Sequence, residues 1–451
     1  MMEERGSNTE PRDLPDTATH AGSRFSAVDP RSSIPEPRSS VLDPRSSVPL
    51  YGSQFWIAYA ANLLLVTGNT LIFRFADFVK FLDGSAIDAG LIVGIGTGVS
   101  VLVRVWLGRL IDQQGPRHVW IVSATALVAS LLGFACLNSL GPQIYLLRMV
   151  YSCSIAGAFS CSMIHLCTDV PVTRRAELIG TLGTSGFLGM MLGPQIGDWM
   201  FPPRHTSHSQ YVAMFLTAAA FCVGYCLLVV YLSRHSARPT PHEPPPLGRL
   251  LVEYWPGMLL PVAMMMGMAQ VVPSTFLTLF RDHLDLDGIG VFFWFYAPIA
   301  IVMRLIGRRW PEQLGRRAAA LIGLVLLAVS MPLYLIVRTQ WQLAWAALAA
   351  GTGHALLFPS VATLGAESFP ERYRATGTTL ILGFVDLGTL CGAPALGAII
   401  DHVSFDAMFW SASGVLSVVA LSFAGVSLFQ WRRDAAQLKS SAEVAEDMGG
   451  W

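Results

Sequence analysis

The segment GRLIDQQGPR, residues 108–117, is a short charged link between two long apolar blocks at about 88–108 and 117–138. Its pattern recurs 200 residues further along the chain. The matched positions are Arg104, Arg109, Asp112, Gly115 and Arg117 in the first copy and Arg304, Arg309, Glu312, Gly315 and Arg317 in the second. A charged pattern repeated at constant spacing predicts that a group of helices has been duplicated.

The composition assigns the chain to a membrane. Of its 451 residues, 53% are apolar and only 13% are charged, about half the charged fraction of a soluble protein. Thirty basic and thirty acidic residues cancel, which argues against a protein that binds nucleic acid. The apolar residues form blocks of about 18 residues or more, the length that crosses a bilayer. The lipid bilayer is therefore an expected partner.

Twelve apolar blocks follow one another at about 53–75, 88–108, 117–138, 143–168, 176–200, 210–232, 255–279, 288–307, 318–337, 341–366, 375–400 and 405–430. The longest link, 233–254, is polar and proline-rich, and it divides the blocks six and six. We predict an all-α membrane protein with twelve transmembrane helices in two pseudo-symmetric six-helix halves. The predicted segments are an N-terminal tail (1–50), a first half (51–232), a linker (233–254), a second half (255–430) and a C-terminal tail (431–451).

The tail and the basic residues predict the topology. Residues 1–50 are rich in Pro, Ser and Arg, and the unit Pro-Arg-Ser-Ser recurs at 30–33, 37–40 and 44–47; this composition predicts disorder. If the tail is cytoplasmic, the external links hold few basic residues, namely Arg74, Lys80, Arg204, Arg281 and Arg338. The positive-inside rule therefore predicts that both termini are cytoplasmic. We expect a plasma membrane protein, in a bacterium a protein of the inner membrane.

Two further landmarks repeat in the same order in both halves. The link after block four (Asp169, Arg174, Arg175) corresponds to the link after block ten (Glu367, Arg372, Arg374). The small-residue motif of block five returns in block eleven, with Gly189, Gly193, Pro194 and Gly197 matched by Gly388, Gly392, Pro394 and Gly397. Together with the first landmark, they support duplicated halves.

These motifs together resemble those of the major facilitator superfamily. Segment 108–117 is similar to the family's signature between helices 2 and 3, and Arg148 matches its helix 4 arginine. The chain departs from the pattern at Tyr151 and Ser152, where the family usually has glutamine and glycine. The resemblance covers about residues 53–430. It implies a transporter that works by alternating access, and the helix 5 motif (Gly189, Gly193, Pro194, Gly197) implies a proton-coupled exporter more often than an importer.

The resemblance also implies a conformational latch. Asp112 falls at the predicted cytoplasmic end of helix 2, where helix 11 begins near Ala375 and its N-terminal dipole is available to a carboxylate. The latch set is Gly108, Arg109, Asp112, Gly115 and Arg117. The alternative is a solvated loop whose arginines only orient the protein.

The glycines of the helix 5 motif are four residues apart and therefore share one helix face. Helix packing is the simpler interpretation, and a seal between the two sides of the membrane is the family interpretation.

One acidic residue, Asp386, lies near the middle of block eleven. A carboxylate at the bilayer centre costs about 3 kcal/mol, so it normally faces a cavity or has a partner. We predict that Asp386 binds a proton or a substrate cation, with Arg148 as its electrostatic partner. A structural aspartate is the alternative for Asp386, and snorkelling to the membrane surface is the alternative for Arg148. Arg104 and Arg304 are predicted to lie at the membrane interface.

Helices 1, 4, 7 and 10 often line the cavity in this fold, and their polar residues are cavity candidates. These are Asn62, Asn69, Gln270 and His354, with His165 nearer the cytoplasmic end. Each alone is more often an interhelical hydrogen-bonding residue than a ligand. His354 ranks first among them because it follows a glycine-rich stretch.

No enzyme motif is present in the sequence. There is no phosphate-binding GKS or GKT, which argues against ATP-driven transport, and no metal-binding or catalytic cluster stands out. We therefore predict a secondary transporter without a cofactor, monomeric, driven by protons or another ion gradient, that exports a small organic solute. A proton-coupled or facilitative importer is the alternative, and a non-transporting sensor or scaffold is a further one.

Overall fold

The computed structural model describes residues 51–114, 116–168, 172–201, 206–234, 253–306, 315–370 and 374–449. Within these ranges the chain is helical, and no strand is present. The predicted N-terminal tail and most of the predicted linker lie outside the described residues.

Twelve helical segments run through these ranges in the order of the predicted apolar blocks. They are α1 (Ser53–Phe81), α2 (Ala86–Gln114), α3 (Pro116–Ala135), α4 (Pro142–Thr168), α5 (Val172–Met200), α6 (His208–Ser233), α7 (Leu259–His283), α8 (Gly290–Ile306), α9 (Arg316–Ile336), α10 (Gln340–Glu367), α11 (Arg374–His402) and α12 (Phe405–Gly449). By length and composition, ten contain a stretch able to cross a membrane. The other two are α5, which is rich in glycine, and α8, which has 17 residues.

The packing pattern repeats with a shift of six helices. In the first half (α1–α6), α1 packs on α5 and α6, α3 on α4 and α6, and α2 on α4. In the second half (α7–α12), α7 packs on α11 and α12, α9 on α10 and α12, and α8 on α10. The halves meet through two equivalent pairs, α2 with α11 and α5 with α8. We call these pairs the two seams.

Glycines bring the helices of this bundle close together. A Cβ atom at Gly189 would lie 2.9 Å from the backbone nitrogen of Thr67, and one at Gly193 would lie 2.7 Å from the carbonyl oxygen of the same residue. Both glycines of the α5 motif therefore face α1, on one side of the helix as their spacing predicts. The equivalent glycines of α11 face α7, since a Cβ at Gly392 would lie 3.2 Å from the Cα of Met268.

The first helix of each half is irregular at the same position. In α1 a 3₁₀ turn covers Ile72–Arg74, and in α7 a π-helical turn covers Val272–Phe276. Such turns inside long helices are frequent at functional sites. The polar residue Asn69 lies three residues before the first of these turns, and Gln270 lies two residues before the second.

Large apolar side chains cover the outside of the bundle. Trp199 is 76% exposed and Leu421 is 74% exposed. A surface of this kind is stable in contact with lipid rather than water.

Candidate functional site

The α2–α11 seam contains an ion pair between the two halves. Arg104 Nε lies 3.0 Å from Asp386 Oδ2, and each side chain is 21% exposed. The two atoms are within ion-pair distance, but their orientation does not make a hydrogen bond. Asp386, predicted from sequence as a coupling residue, therefore lies where relative movement of the halves would change its surroundings.

The predicted pairing of Asp386 with Arg148 is corrected by the structure. Arg148 instead lies over the rings of Phe75 and Tyr151, at 4.8 and 5.1 Å from their centroids. The reason is the packing order, because α11 packs on α2, where Arg104 faces it. Arg104 was expected at the membrane interface, and the sequence alone carries no signal of which face of α2 turns to α11.

Arg148 belongs to a polar contact between α4 and α1. The hydroxyl of Tyr151 donates a hydrogen bond to the side-chain oxygen of Asn69, a predicted cavity residue. Asn62, also predicted, donates to Ser185 Oγ at 2.8 Å and is 7% exposed. Asn62 therefore links α1 to α5. This is the interhelical hydrogen-bonding role that was the alternative to binding a ligand in the cavity.

A second polar cluster lies in the other half, around Tyr296 of α8. Its hydroxyl is 2.9 Å from Nδ1 of His354 and 3.5 Å from Oε1 of Gln270, to which it donates. Gln270 and His354, the two predicted cavity residues of this half, are therefore brought together by a tyrosine that was not predicted from the sequence. A single tyrosine in an apolar helix has no charge or motif that would mark it.

This cluster borders a small cavity between α7, α8, α9 and α10. Its lining is mostly apolar with a few polar groups, as is usual for ligand sites. The lining residues are Met266, Ala269, Gln270, Pro273, Tyr296, Leu327, Ser330, Met331, Tyr334, Ala350 and His354.

Most of the predicted latch lies outside what the structure describes. Helix α2 continues through the positions of Gly108, Arg109 and Asp112 to Gln114, as expected for a carboxylate at the end of helix 2. The side chains of these residues and all of Gly115 lie outside the described part. Arg117 is exposed in the first turn of α3. The latch therefore stays a prediction.

At the end of the bundle that carries the α1–α2 turn, carboxylates join the halves. We call this end the outer end, following the predicted topology. Asp198 of α5 accepts hydrogen bonds from the backbone N–H groups of Ile289 (3.2 Å) and Gly290 (2.5 Å) at the start of α8. Asp401 of α11 accepts from those of Ala86 (3.1 Å) and Ile87 (2.6 Å) at the start of α2.

Charged residues in α1 and α7 complete this outer contact. Arg74, which is 1% exposed, pairs with Asp198 and lies 3.4 Å from Asp77. Asp77 in turn lies 3.3 Å from Arg281 of the second half. From the sequence, Arg74 and Arg281 are recognised only as external basic residues, because their partners are distant in the chain.

Among the residues that the structure describes, no group of three or more His, Cys, Asp or Glu could hold a metal ion.

The chain belongs to the Major Facilitator Superfamily, whose profile matches residues 55–311 and 288–447. It is therefore a membrane transporter rather than an enzyme. One similar protein is the MFS-type transporter YhhS of Escherichia coli K12, 22% identical over 345 residues, which are 75% of this chain and 83% of that protein. Another is the multidrug resistance protein MdtG of Enterobacter lignolyticus, 25% identical over 376 residues, or 80% and 86% of the two chains.

Solved structures of transporters have the same fold. A point mutant of the nucleoside transporter NupG superposes with a TM-score of 0.69 at 11% identity, covering 82% of this chain and 99% of that one. The D-xylose–proton symporter superposes with a TM-score of 0.65 at 14% identity, covering 82% and 96%. At these identities the likeness concerns the fold, and the prediction of this fold from sequence is confirmed.

Proposed function

We propose that this protein is a secondary active transporter that exports a small organic solute in exchange for protons. The halves, residues 51–232 and 255–430, move against each other about the linker 233–254, so that a central site opens to one side at a time. Both termini face the cytoplasm of a plasma membrane. The protein works as a monomer and needs no cofactor, since the proton gradient supplies the energy.

The observation that carries this proposal is the ion pair of Arg104 with Asp386 across the α2–α11 seam. A carboxylate inside the membrane costs about 3 kcal/mol unless it is paired or solvated. When Asp386 takes up a proton, its attraction to Arg104 is lost and the seam is weakened. Proton binding thereby favours one arrangement of the halves over the other, which is the requirement for coupling.

The remaining polar residues divide between the halves. In the first half, Arg148, Tyr151 and Asn69 form one wall of the solute pathway; in the second, Gln270, Tyr296 and His354 form the other. The latch residues Gly108, Arg109, Asp112, Gly115 and Arg117 hold the cytoplasmic ends together in one state. The α5 motif, through its close packing on α1, keeps the first half rigid during this movement.

Export rather than import is supported by two observations. The α5 motif (Gly189, Gly193, Pro194, Gly197) resembles that of proton-coupled exporters, and a relative 25% identical over 376 residues is a multidrug resistance protein. Import by the same fold is the alternative, and it predicts the opposite direction of solute movement.

The variant Asp386→Asn tests the coupling. The purified protein is reconstituted in liposomes that contain a pH-sensitive dye, and a panel of anionic, cationic and neutral solutes is added. We expect solute-driven proton movement in the wild type and at least a tenfold loss in Asp386→Asn, because an amide cannot carry the proton. Asp287→Asn, at an exposed carboxylate in the link before α8, is the matched control and keeps full activity.

Unchanged proton movement in Asp386→Asn would refute Asp386 as the coupling site. The same solute is then followed in inverted and right-side-out vesicles under an imposed pH gradient. Accumulation in inverted vesicles supports export, and accumulation in right-side-out vesicles establishes the importer instead.

A further inference from the structure

Arg304 of α8 is a cation inside the membrane without a carboxylate beside it in the described part of the chain. Its guanidinium carbon lies 4.7 Å from the ring centroid of Phe187 and 5.7 Å from that of Phe358. Its Nε is buried and has no hydrogen-bond partner among the described residues. By helical rise, Arg304 lies about 21 Å from Gly290 at the outer end of α8. It therefore lies in the cytoplasmic half of α8, two residues before Ile306, where the described part of this helix ends.

The internal repeat indicates what this arginine lacks. Arg304 corresponds to Arg104, which is paired with Asp386. Because Gly189 and Gly193 align with Gly388 and Gly392, the position equivalent to Asp386 is Phe187. The two seams thus carry the same arginine, but one arginine faces a carboxylate and the other faces an aromatic ring.

The ring contacts compensate only part of the cost of burying this charge. The two cation–π contacts offset part of the cost of an intramembrane arginine, but neither ring is a hydrogen-bond acceptor of ordinary strength, so the buried Nε is left as an unsatisfied donor. A residue of this kind is usually part of a substrate or ion pathway. An anionic ligand would supply the missing countercharge.

We propose that Arg304 binds the carboxylate of an organic anion with an aromatic or other apolar body. The guanidinium offers the paired donors that a carboxylate accepts, and Phe187 and Phe358 provide apolar surface for the rest of the ligand. His354 stacks on Phe358, with ring centroids 6.0 Å apart, and bonds to Tyr296. The anion site is thereby continuous with the polar cavity cluster. The inference rests on the proposed transport function and names the substrate class of that same pathway.

Equilibrium binding to the purified protein tests the proposal. The probes are benzoate, phenylacetate and indole-3-acetate, each compared with its primary amide, and binding is measured by isothermal titration calorimetry in detergent. We expect at least one carboxylate to bind the wild type ten times more tightly than its amide. Arg304→Gln abolishes this difference, and Arg304→Lys retains part of it. The control Arg338→Gln, at an exposed arginine of the outer end, leaves it unchanged.

A second variant keeps the test decisive if Arg304→Gln does not fold. Phe187→Asp would place a carboxylate beside Arg304, as Asp386 does for Arg104, while keeping the arginine. We expect this variant to lose the preference for carboxylates because the countercharge is already present. Phe187→Leu removes the ring but adds no charge, so we expect it to weaken the binding of carboxylate and amide alike and to keep the ratio between them.

The proposal is overturned if no probe binds the wild type, if carboxylates and amides bind alike, or if Phe187→Asp still prefers carboxylates. These binding experiments involve no gradient, so their outcome is separate from that of Asp386→Asn. If Asp386→Asn loses coupling but the wild type binds no carboxylate, only the proposed substrate class is rejected. If the wild type binds carboxylates but Asp386→Asn keeps full coupling, only the proposed coupling site is rejected.

Discussion

Arg104, Arg148 and Arg304 differ in their immediate neighbours. Arg104 faces a carboxylate, Arg148 faces Phe75 and Tyr151, and Arg304 faces Phe187 and Phe358. Arginine tolerates both surroundings, because its planar cation forms ion pairs and also stacks on rings. The neighbouring group decides whether protonation can change the surroundings of the arginine, since a carboxylate can take up and release a proton and a phenyl ring cannot. This difference supports the proposed coupling at the α2–α11 seam and the proposed anion site at the α5–α8 seam.

Gly193 provides a test of packing at the scale of one residue. In Gly193→Ala, the new Cβ would lie 2.7 Å from the Thr67 carbonyl oxygen and 2.8 Å from the Leu71 nitrogen, so the α1 backbone must shift. Overpacking of this kind costs about 1–3 kcal/mol. We expect a lower melting temperature of the purified protein.

Gly186→Ala in the same helix is the control for this substitution. Its Cβ would meet no atom closer than Asn62 Nδ2 at 3.8 Å, so stability is unchanged or slightly raised, as alanine favours helices. Equal melting temperatures for the two variants would show that α5 and α1 are not packed through Gly193.

At the scale of elements, the outer ends of two helices are capped from the opposite half. The first N–H groups of α8 and α2 have no partner within their own helices, and Asp198 and Asp401 supply one in each case. The two contacts are equivalent under the repeat: α5 caps α8, and α11 caps α2. They join the outer ends of both seams. In the proposed transport cycle both contacts must be released before that side of the bundle opens.

Removal of either cap is expected to destabilise the protein. Asp401→Ala removes one N-terminal cap, which costs about 1 kcal/mol. Asp198→Ala costs more, because it also takes a partner from Arg74, which is 1% exposed, and a buried charge without its partner is unfavourable. In thermal unfolding we therefore expect a lower melting temperature for Asp198→Ala than for Asp401→Ala.

The exposed Asp287 supplies the matched control, as Asp287→Ala removes a carboxylate near α8 that caps nothing in the described contacts. If Asp401→Ala and Asp198→Ala melt like Asp287→Ala, the caps do not contribute to the closed outer end.

At the scale of the whole molecule, the halves are expected to move as rigid bodies. Contacts within each half repeat helix by helix, whereas the halves touch mainly along the two seams. Gln195 and Trp294 lie across the α5–α8 seam, joined by a 2.7 Å hydrogen bond from the indole N–H to the amide oxygen. A covalent link at this position should prevent the outer end from opening.

We expect the double variant Gln195→Cys with Trp294→Cys to lose transport when a short thiol-reactive cross-linker joins the two cysteines. If the linker contains a disulfide, a reducing agent should restore transport. Both cysteine pairs are introduced into a variant whose seven native cysteines are replaced by serine. Tyr59→Cys with Thr184→Cys is the control, because their hydroxyls lie 3.0 Å apart within one half. Transport that survives the first cross-link, or is lost with both, would contradict rigid-body movement of the halves.

The amino-acid sequence by itself determined the number, order and duplication of the helices. Hydropathy acts locally along the chain, so twelve apolar blocks and a repeat at constant spacing predict twelve helices in two halves before any contact is known. The same local signal marked Asp386, because a carboxylate within an apolar block needs a partner or a solvated cavity. The cavity residues Gln270 and His354 were also found in this way.

Only the tertiary structure decided which side chains meet. Arg104 rather than Arg148 faces Asp386, Tyr296 joins Gln270 to His354, and Asp198 and Asp401 cap helices of the other half. These contacts join residues far apart in the chain. They depend on the rotation of each helix about its axis, and hydrophobic patterning specifies that rotation poorly when lipid and protein interior are equally apolar.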